Sequence, residues 1–113
     1  MIQRVKPVEF RGTSLNDLRE FPAAARREAG HQLDLLQQGR DPDDWKPMTT
    51  IGPGVREIRV RDDDGVYRVI YVTRFEDAIY VLHCFQKKTQ QTRKADIHLA
   101  ADRFRKLVKD QNP

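Results

Sequence analysis

The sequence contains several cations whose types and spacing suit chemistry on a phosphate group. Arg59 and Arg68 lie in two consecutive segments that alternate like β-strands, and Lys87 and Lys88 come directly after a third such segment. A guanidinium group can bind two oxygens of one phosphate at the same time. Clustered cations also lower the pKa of a neighbouring lysine by like-charge repulsion. Because a lysine with a lowered pKa can act as a base, this set of residues predicts phosphate binding together with base catalysis.

The same cations also fit a purely structural role. Arg68 could face the solvent in an ion pair with Glu57 or Asp64, and a lysine pair at a strand end is a common solubilising feature. Arg56 is an alternative to Arg59 as the neighbour of Arg68, because the register of two strands decides which side chains share a face. The residue types alone leave these alternatives open.

The positive charge of the chain is concentrated towards its C-terminus. The net charge is +4, and residues 78–113 carry 8 basic against 3 acidic side chains. Between residues 78 and 95 there is no acid, and the basic residues are Lys87, Lys88, Arg93 and Lys94. Such a segment suits a polyanion such as a nucleic acid, and a solvated basic loop is the alternative.

The other reactive side chains show no pattern for a metal or a cofactor. His31, His83 and His98 lack metal-ligand spacing. We expect His83 to pack within a strand, whereas His98 lies beside the basic segment and is a candidate acid or base. Cys84 has no CxxC partner, and the chain contains no Walker loop, GxGxxG or HExxH motif. We therefore expect neither a metal nor a nucleotide cofactor.

Three helices are predicted around these residues. The spacing of leucine and alanine predicts a short helix over residues 14–20 with Ser14 as its N-cap. A second helix over residues 22–39 places Pro22 in its first turn, where the missing N–H costs nothing. A third, over residues 97–108, has the 3.6-residue period of an amphipathic helix.

The middle of the chain predicts an antiparallel sheet. Residues 55–61, 66–73 and 79–85 indicate three strands joined as a meander. Residues 1–10 contain a proline and suit a short edge strand. Residues 39–54 hold three prolines and three glycines, which predicts a long loop without regular structure.

The length and composition fit one domain without a membrane span. We expect residues 1–113 to form a single α+β domain. An N-terminal helical pair and a C-terminal helix should pack on a small antiparallel sheet, with all helices on the same sheet face. No apolar stretch approaches the roughly 18 residues of a spanning helix. The N-terminus lacks a signal-peptide pattern and the single cysteine cannot form an internal disulfide, so we expect a cytoplasmic location.

Three motifs follow one another in the second half of the chain, namely VREIRV at residues 55–60, YRVIYV at 67–72 and VLHCFQKKTQ at 81–90. Together with the final helix they resemble the HigB-like, phage-related branch of the RelE/ParE toxin superfamily. The resemblance implies a RelE-like toxin that is neutralised by an antitoxin, commonly a helix-turn-helix, HigA-like protein. It also implies a ribosome-dependent endoribonuclease that cuts messenger RNA during translation without a metal.

The resemblance assigns roles to the basic residues that match these motifs. It implies that Arg68 stabilises the phosphate and that Arg59 holds the RNA backbone, with Lys87 or Lys88 as the base or electrostatic activator. The final helix lacks the tyrosine that RelE-type enzymes often place near the C-terminus, which leaves His98 as a substitute acid without support from a family motif. The further cations expected to bind RNA are Arg56, Arg93 and Lys94.

Two other functions fit the same pattern. A ParE-like protein would share the fold and poison DNA gyrase by binding it, and a phage-derived module could bind RNA or a protein without catalysis. Arg68 with Lys87 and Lys88 favours the nuclease. Because Arg68 is expected to be exposed on a sheet face, its substitution by alanine should abolish toxicity and leave the fold intact.

Overall fold

A central sheet forms because β-branched and aromatic residues recur through the middle of the chain, with turn residues between them. The computed structural model describes residues 5–87 and 93–112. Its elements in chain order are β1 (Val8–Phe10), α1 (Ser14–Arg19), α2 (Ala23–Gln37), β2 (Trp45–Pro47), β3 (Val55–Asp62), β4 (Gly65–Val72), β5 (Ile79–Lys87) and α3 (Lys94–Gln111). The strand order is β1-β5-β4-β3-β2, with β1 parallel to β5 and the other pairs antiparallel. The α+β class and the β3–β4–β5 meander are confirmed.

The helical pair α1 and α2 covers one face of the sheet, as predicted. Its core residues are Leu18, Phe21, Ala25, Ala29, Leu33 and Leu36, and they pack on a sheet side made by Ile58, Val60, Tyr67, Val69, Tyr71, Ile79, Val81 and Cys84. Pro22 is the N-cap of α2 and precedes its first turn. The N-cap of α1 is Thr13, so the assignment of Ser14 is wrong. Ser14 is buried and donates its hydroxyl to the carbonyl oxygen of Val81 at 3.3 Å, which docks α1 on β5.

Helix α3 packs on the opposite face of the sheet, so the prediction that all helices share one face is wrong. The second core combines Ala100, Phe104 and Leu107 of α3 with Met48, Ile51, Val55, Ile70, Val72, Ala78, Tyr80 and Leu82. The reason lies in β4, where the consecutive residues Val69, Ile70 and Tyr71 all have 0% exposure. A strand that is apolar on both faces needs cover on both.

Polar contacts fix α3 in this position. Arg103 donates from Nη1 to the carbonyl oxygen of Leu82 at 2.9 Å and from Nη2 to Thr13 Oγ1 at 3.0 Å. Near the other end of the helix, Gln111 Nε2 donates to the hydroxyl of Tyr80 at 2.8 Å. Within residues 5–87 and 93–112, no helix is both long and apolar enough to cross a membrane.

The segment predicted as an irregular loop contains a strand. Trp45–Pro47 pairs with β3 at the edge of the sheet, with Trp45 beside Ile58 and Lys46 beside Glu57. Pro47 is tolerated because the strand has no neighbour on its outer side among the described residues. This corrects the interpretation of residues 39–54 and brings Lys46 to the sheet. The edge strand predicted near the N-terminus is confirmed as β1.

Candidate functional site

Beyond the apolar residues that pack under α3, the same sheet face carries a group of cations. Arg59 of β3 is the register partner of Arg68 of β4, and Arg68 is in turn the partner of Phe85 of β5. Partners across adjacent strands point to the same face, so these three side chains form a row across the sheet. Five of the basic residues that the structure describes lie on this part of the face and are here called the cationic face, namely Lys46, Arg59, Arg61, Arg68 and Lys87.

Arg68 lies at the centre of the cationic face and is only 2% exposed. Its Nη1 donates to Oε1 of Glu57, which has 0% exposure, so the two form a buried ion pair. The prediction that Arg68 is solvent-exposed is wrong, because β4 is the middle strand of the sheet and is flanked on both sides. Glu57 is one of the two ion-pair partners, with Asp64, that the sequence suggested for a purely structural Arg68. Burial lowers the pKa of Arg68 from its usual value, and the neighbouring carboxylate compensates the charge.

The other arginines of the cationic face are more accessible. Arg59 reaches Asp44 with Nη2 at 2.8 Å and Nε at 3.1 Å, and its side chain is 28% exposed. Arg61 lies 3.8 Å from the same carboxylate and is 67% exposed. One carboxylate therefore serves two guanidinium groups, which leaves positive charge available to an anion from solution.

Lys46 belongs to the cationic face although the sequence interpretation missed it. Its Nζ lies 3.9 Å from Glu57 Oε1, and its side chain is 40% exposed. A strand of three residues is too short to show a period of two, so the pattern that identified Arg59 and Arg68 could not identify Lys46.

The surplus of positive charge acts on both lysines of the cationic face. Burial lowers the pKa of Lys87, and the charges of Arg68 and Lys46 lower it further. Burial also lowers the pKa of Lys46, with additional contributions from Arg68 and Arg59. The prediction that clustered cations lower the pKa of a neighbouring lysine is thus confirmed in direction for Lys87.

Arg56 does not join the cationic face, so the alternative that placed it beside Arg68 in place of Arg59 is wrong. It is the register partner of Tyr71 and lies on the face covered by α2. There its guanidinium carbon lies 4.2 Å from the ring centre of Trp45, and Nη1 is 3.6 Å from Asp41 Oδ1. These contacts hold Arg56 over Trp45 of β2, and its role in RNA binding stays a prediction.

The remaining predicted site residues lie apart from this face or outside the described residues. Lys88 is among the residues that the structure does not describe. Arg93 and Lys94 are exposed at the start of α3, and His98 is exposed one turn further along the helix. No described contact joins them to the cationic face, so a role for these three residues stays a prediction.

His83 is the histidine that lies beside the cationic face. It is 6% exposed, its Nε2 is 2.7 Å from Asp96 Oδ1, and its ring stacks on Phe85 with centres 4.8 Å apart. The expectation of a packed strand histidine is confirmed. Cys84 next to it is also buried, and burial raises the pKa of its thiol to about 12.

Within the described part of the chain, no group of three or more His, Cys, Asp and Glu side chains could hold a metal ion. A cavity of about 500 Å³ lies between α1 and β5 and is lined by Asp17, Glu20 and Phe21 and also by His83 and Phe85 of β5. Its carboxylates disfavour a phosphate group, so the open cationic face is the better candidate for binding an anion.

Residues 16–105 match the family model described as phage derived protein Gp49-like (DUF891). The chain belongs to the Gp49-like family. A comparison with curated proteins gives no match. The Gp49-like segment extends from α1 into α3 and includes every residue of the cationic face. Membership of this phage-derived family is consistent with a toxin of a toxin–antitoxin module.

Proposed function

We propose that this Gp49-like protein is the toxin of a type II toxin–antitoxin module and acts as a ribosome-dependent endoribonuclease on messenger RNA. The observation that carries the proposal is the cationic face, where exposed guanidinium groups and two lysines with lowered pKa surround one buried ion pair. The partners that follow are the ribosome, its message and a cognate helix-turn-helix, HigA-like antitoxin in the cytoplasm.

RNA can be cut without a metal because it carries its own nucleophile. The 2′-hydroxyl oxygen attacks the adjacent phosphorus, the bond to the 5′-oxygen breaks, and a 2′,3′-cyclic phosphate and a 5′-hydroxyl result. The protein must accept the proton of the 2′-hydroxyl, stabilise the additional negative charge at phosphorus and return a proton to the leaving oxygen.

The cationic face can supply each of these functions. Arg59 and Arg61 are accessible and can bind the non-bridging phosphate oxygens. A lowered pKa increases the fraction of neutral amine at Lys87, which can then accept the proton, while a protonated lysine can donate one. Arg68 is buried against Glu57, so its contribution is to position that carboxylate and to maintain the positive field.

The reaction is tested by adding purified protein to a cell-free translation system and mapping the 5′ ends of a reporter message by primer extension. The same message without a start codon serves as the untranslated control, and supercoiled DNA with gyrase is assayed in parallel. We expect cuts within the translated message alone. Gyrase-dependent DNA breaks with an intact message would instead indicate a ParE-like toxin, and the absence of both effects would indicate a non-catalytic binding module.

The nucleophile is tested separately. A message with a single 2′-deoxynucleotide immediately 5′ of a mapped cut should resist cleavage at that position, while cuts elsewhere in the same message continue. Cleavage at the substituted position would contradict attack by the 2′-hydroxyl.

A further inference from the structure

Phe85 is an aromatic residue placed among the cations of the candidate site. It lies directly across from Arg68, and Lys87 follows two residues later on the same face of β5. Phe85 is partly exposed, whereas Phe104 of the second core is 7% exposed. A partly exposed ring in a row with two arginines combines the two features that bind single-stranded nucleic acid, namely cations for the backbone and a flat apolar surface for a base.

The ring of Phe85 is supported from one side. His83 stacks against it with an angle of 21° between the rings and a centre separation of 4.8 Å. Since side chains two residues apart on a strand share a face, His83, Phe85 and Lys87 lie in one line on this face of β5, with Phe85 in the middle. One side of the ring is thus packed against His83, and a cation that can hold a phosphate follows two residues later on the same strand face.

His83 is itself fixed by the first turn of α3. Its Nε2 is 2.7 Å from Asp96 Oδ1, and the imidazole is 6% exposed. Ring orientation is therefore set by a contact between β5 and α3 before any ligand arrives. A rigid aromatic surface loses little conformational entropy when a base stacks on it.

We propose that Phe85 is the stacking platform for one nucleobase of single-stranded RNA held at the cationic face, with His83 and Asp96 as positioning residues. The identity of the ligand as RNA rests on the proposed function. A purine is the favoured base, because a larger ring system stacks over more of the phenyl surface. RNA recognition of this kind requires a base that is unstacked from its neighbours, as in a message threaded through a narrow site.

Stacking is tested by fluorescence in the full-length chain. The variant Trp45→Phe with Phe85→Trp carries its single tryptophan at the proposed platform. We expect hexa-adenylate to quench the emission strongly, hexa-uridylate to quench it less, and inorganic polyphosphate of similar charge to leave it unchanged although it binds the same cations. Equal quenching by polyphosphate, or no quenching by bound hexa-adenylate, would overturn the proposal.

A second variant keeps the test independent of the tryptophan substitution. Phe85→Leu should weaken the binding of labelled hexa-adenylate, followed by fluorescence anisotropy, by about tenfold. Phe75→Leu is the matched control, since Phe75 is also partly buried against the second core but packs on Tyr80 at the opposite end of β5 from Phe85. Unchanged affinity in Phe85→Leu, equal loss in Phe75→Leu, or no binding by the wild-type chain would each overturn the proposal.

Variants of Asp96 test the positioning role separately from the stacking role of Phe85. Asp96→Asn keeps a hydrogen-bonding group beside His83 and should retain most of the affinity, whereas Asp96→Ala should weaken it. If Asp96→Ala binds hexa-adenylate like the wild type, the positioning role is wrong. Failure of the proposed function looks different, because translated message would then stay uncut while base-dependent quenching at position 85 continued.

Discussion

At the scale of single residues, the burial of Arg68 changes what a mutation there can report. A charge without contact to water is stable only beside an opposite charge, and Glu57 supplies it. Loss of toxicity in Arg68→Ala would therefore reflect loss of folding as readily as loss of catalysis. The accessible residues of the cationic face, Arg59, Arg61 and Lys87, are the better positions at which to test chemistry.

Arg68→Ala should lower the free energy of unfolding by about 3–5 kcal/mol, because it leaves the Glu57 carboxylate buried without its guanidinium partner. The measurement is urea unfolding followed by circular dichroism. Arg59→Ala, which removes a partly exposed ion pair, should cost less than about 1 kcal/mol. The double variant Arg68→Met with Glu57→Leu should recover most of the lost stability. An unchanged midpoint in Arg68→Ala would contradict the structural role assigned to the pair.

Lys87→Met should raise the free energy of unfolding at pH 7 by up to about 0.5 kcal/mol, a gain kept small by solvent screening. The folded pKa of Lys87 lies below the ordinary value of 10.5, so between these two values the unfolded chain binds more protons and stability rises with pH. Below its folded pKa the lysine is charged in both states, and the cost of burying the ammonium group and the repulsion from Arg68 and Lys46 are fully present. The gain should therefore shrink as the pH approaches 10.5.

Lys109→Met is the control for this series. Lys109 lies in the last turn of α3, where a cation is favourable, so its removal should give no gain at pH 7. Urea midpoints for both variants at pH 7 and pH 10 provide the comparison. A Lys87→Met variant that is destabilised at pH 7 would show that the ammonium group is not under repulsion.

At the scale of elements, the position of α3 depends on a close contact with the loop before β3. A Cβ atom at Gly52 would lie 2.3 Å from the Phe104 ring, so only glycine lets the helix approach this far. Gly30 in α2 offers a contrast, because nothing lies within 4 Å of a Cβ atom there. The two glycines differ in packing and give a matched test.

Gly52→Ala should lower the free energy of unfolding by about 1–3 kcal/mol, since the new methyl group must displace the Phe104 ring. Gly30→Ala should raise it by roughly 0.5–1 kcal/mol, because alanine is the better helix former and meets open space. Thermal unfolding of both variants measures the two effects. A stabilised Gly52→Ala protein would contradict the packing of α3 on this loop.

The elements that could be predicted from sequence are those with local signals. The β3–β4–β5 meander has period-two alternation and a turn between its first two strands, and α2 has a helical period, so each appears within a short window. The strand β2 and the face chosen by α3 depend on partners distant in the chain. Lys46 was missed because β2 was not predicted. The burial of Arg68 was missed because it depends on which residues of the neighbouring strands surround the side chain.

At the scale of the whole molecule, the two sheet faces differ in their chemistry. One is apolar and covered by α1 and α2, and the other divides into an apolar part under α3 and the cationic face. The three cations Arg59, Arg68 and Lys87 are separated in sequence, and strand register alone brings them together. The register also decides that Arg59, and not Arg56, lies beside Arg68. Composition does not contain that register.

The central claim is that messenger RNA is cut at the cationic face, and a pair of matched charge variants tests it most directly. Arg59→Ala with Lys87→Ala removes two cations from this face. Arg27→Ala with Arg40→Ala removes two exposed cations, one from α2 and one just after it, and lowers the net charge equally. Both proteins enter the cell-free translation assay with mapping of the 5′ ends.

We expect the variant of the cationic face to cut the translated message at least about 10²-fold more slowly than the wild type, as for the loss of groups that stabilise a transition state. The control variant should cut at the wild-type rate. Cleavage by the first variant at the wild-type rate, or equal loss in both, would contradict the assignment of the cationic face as the active site.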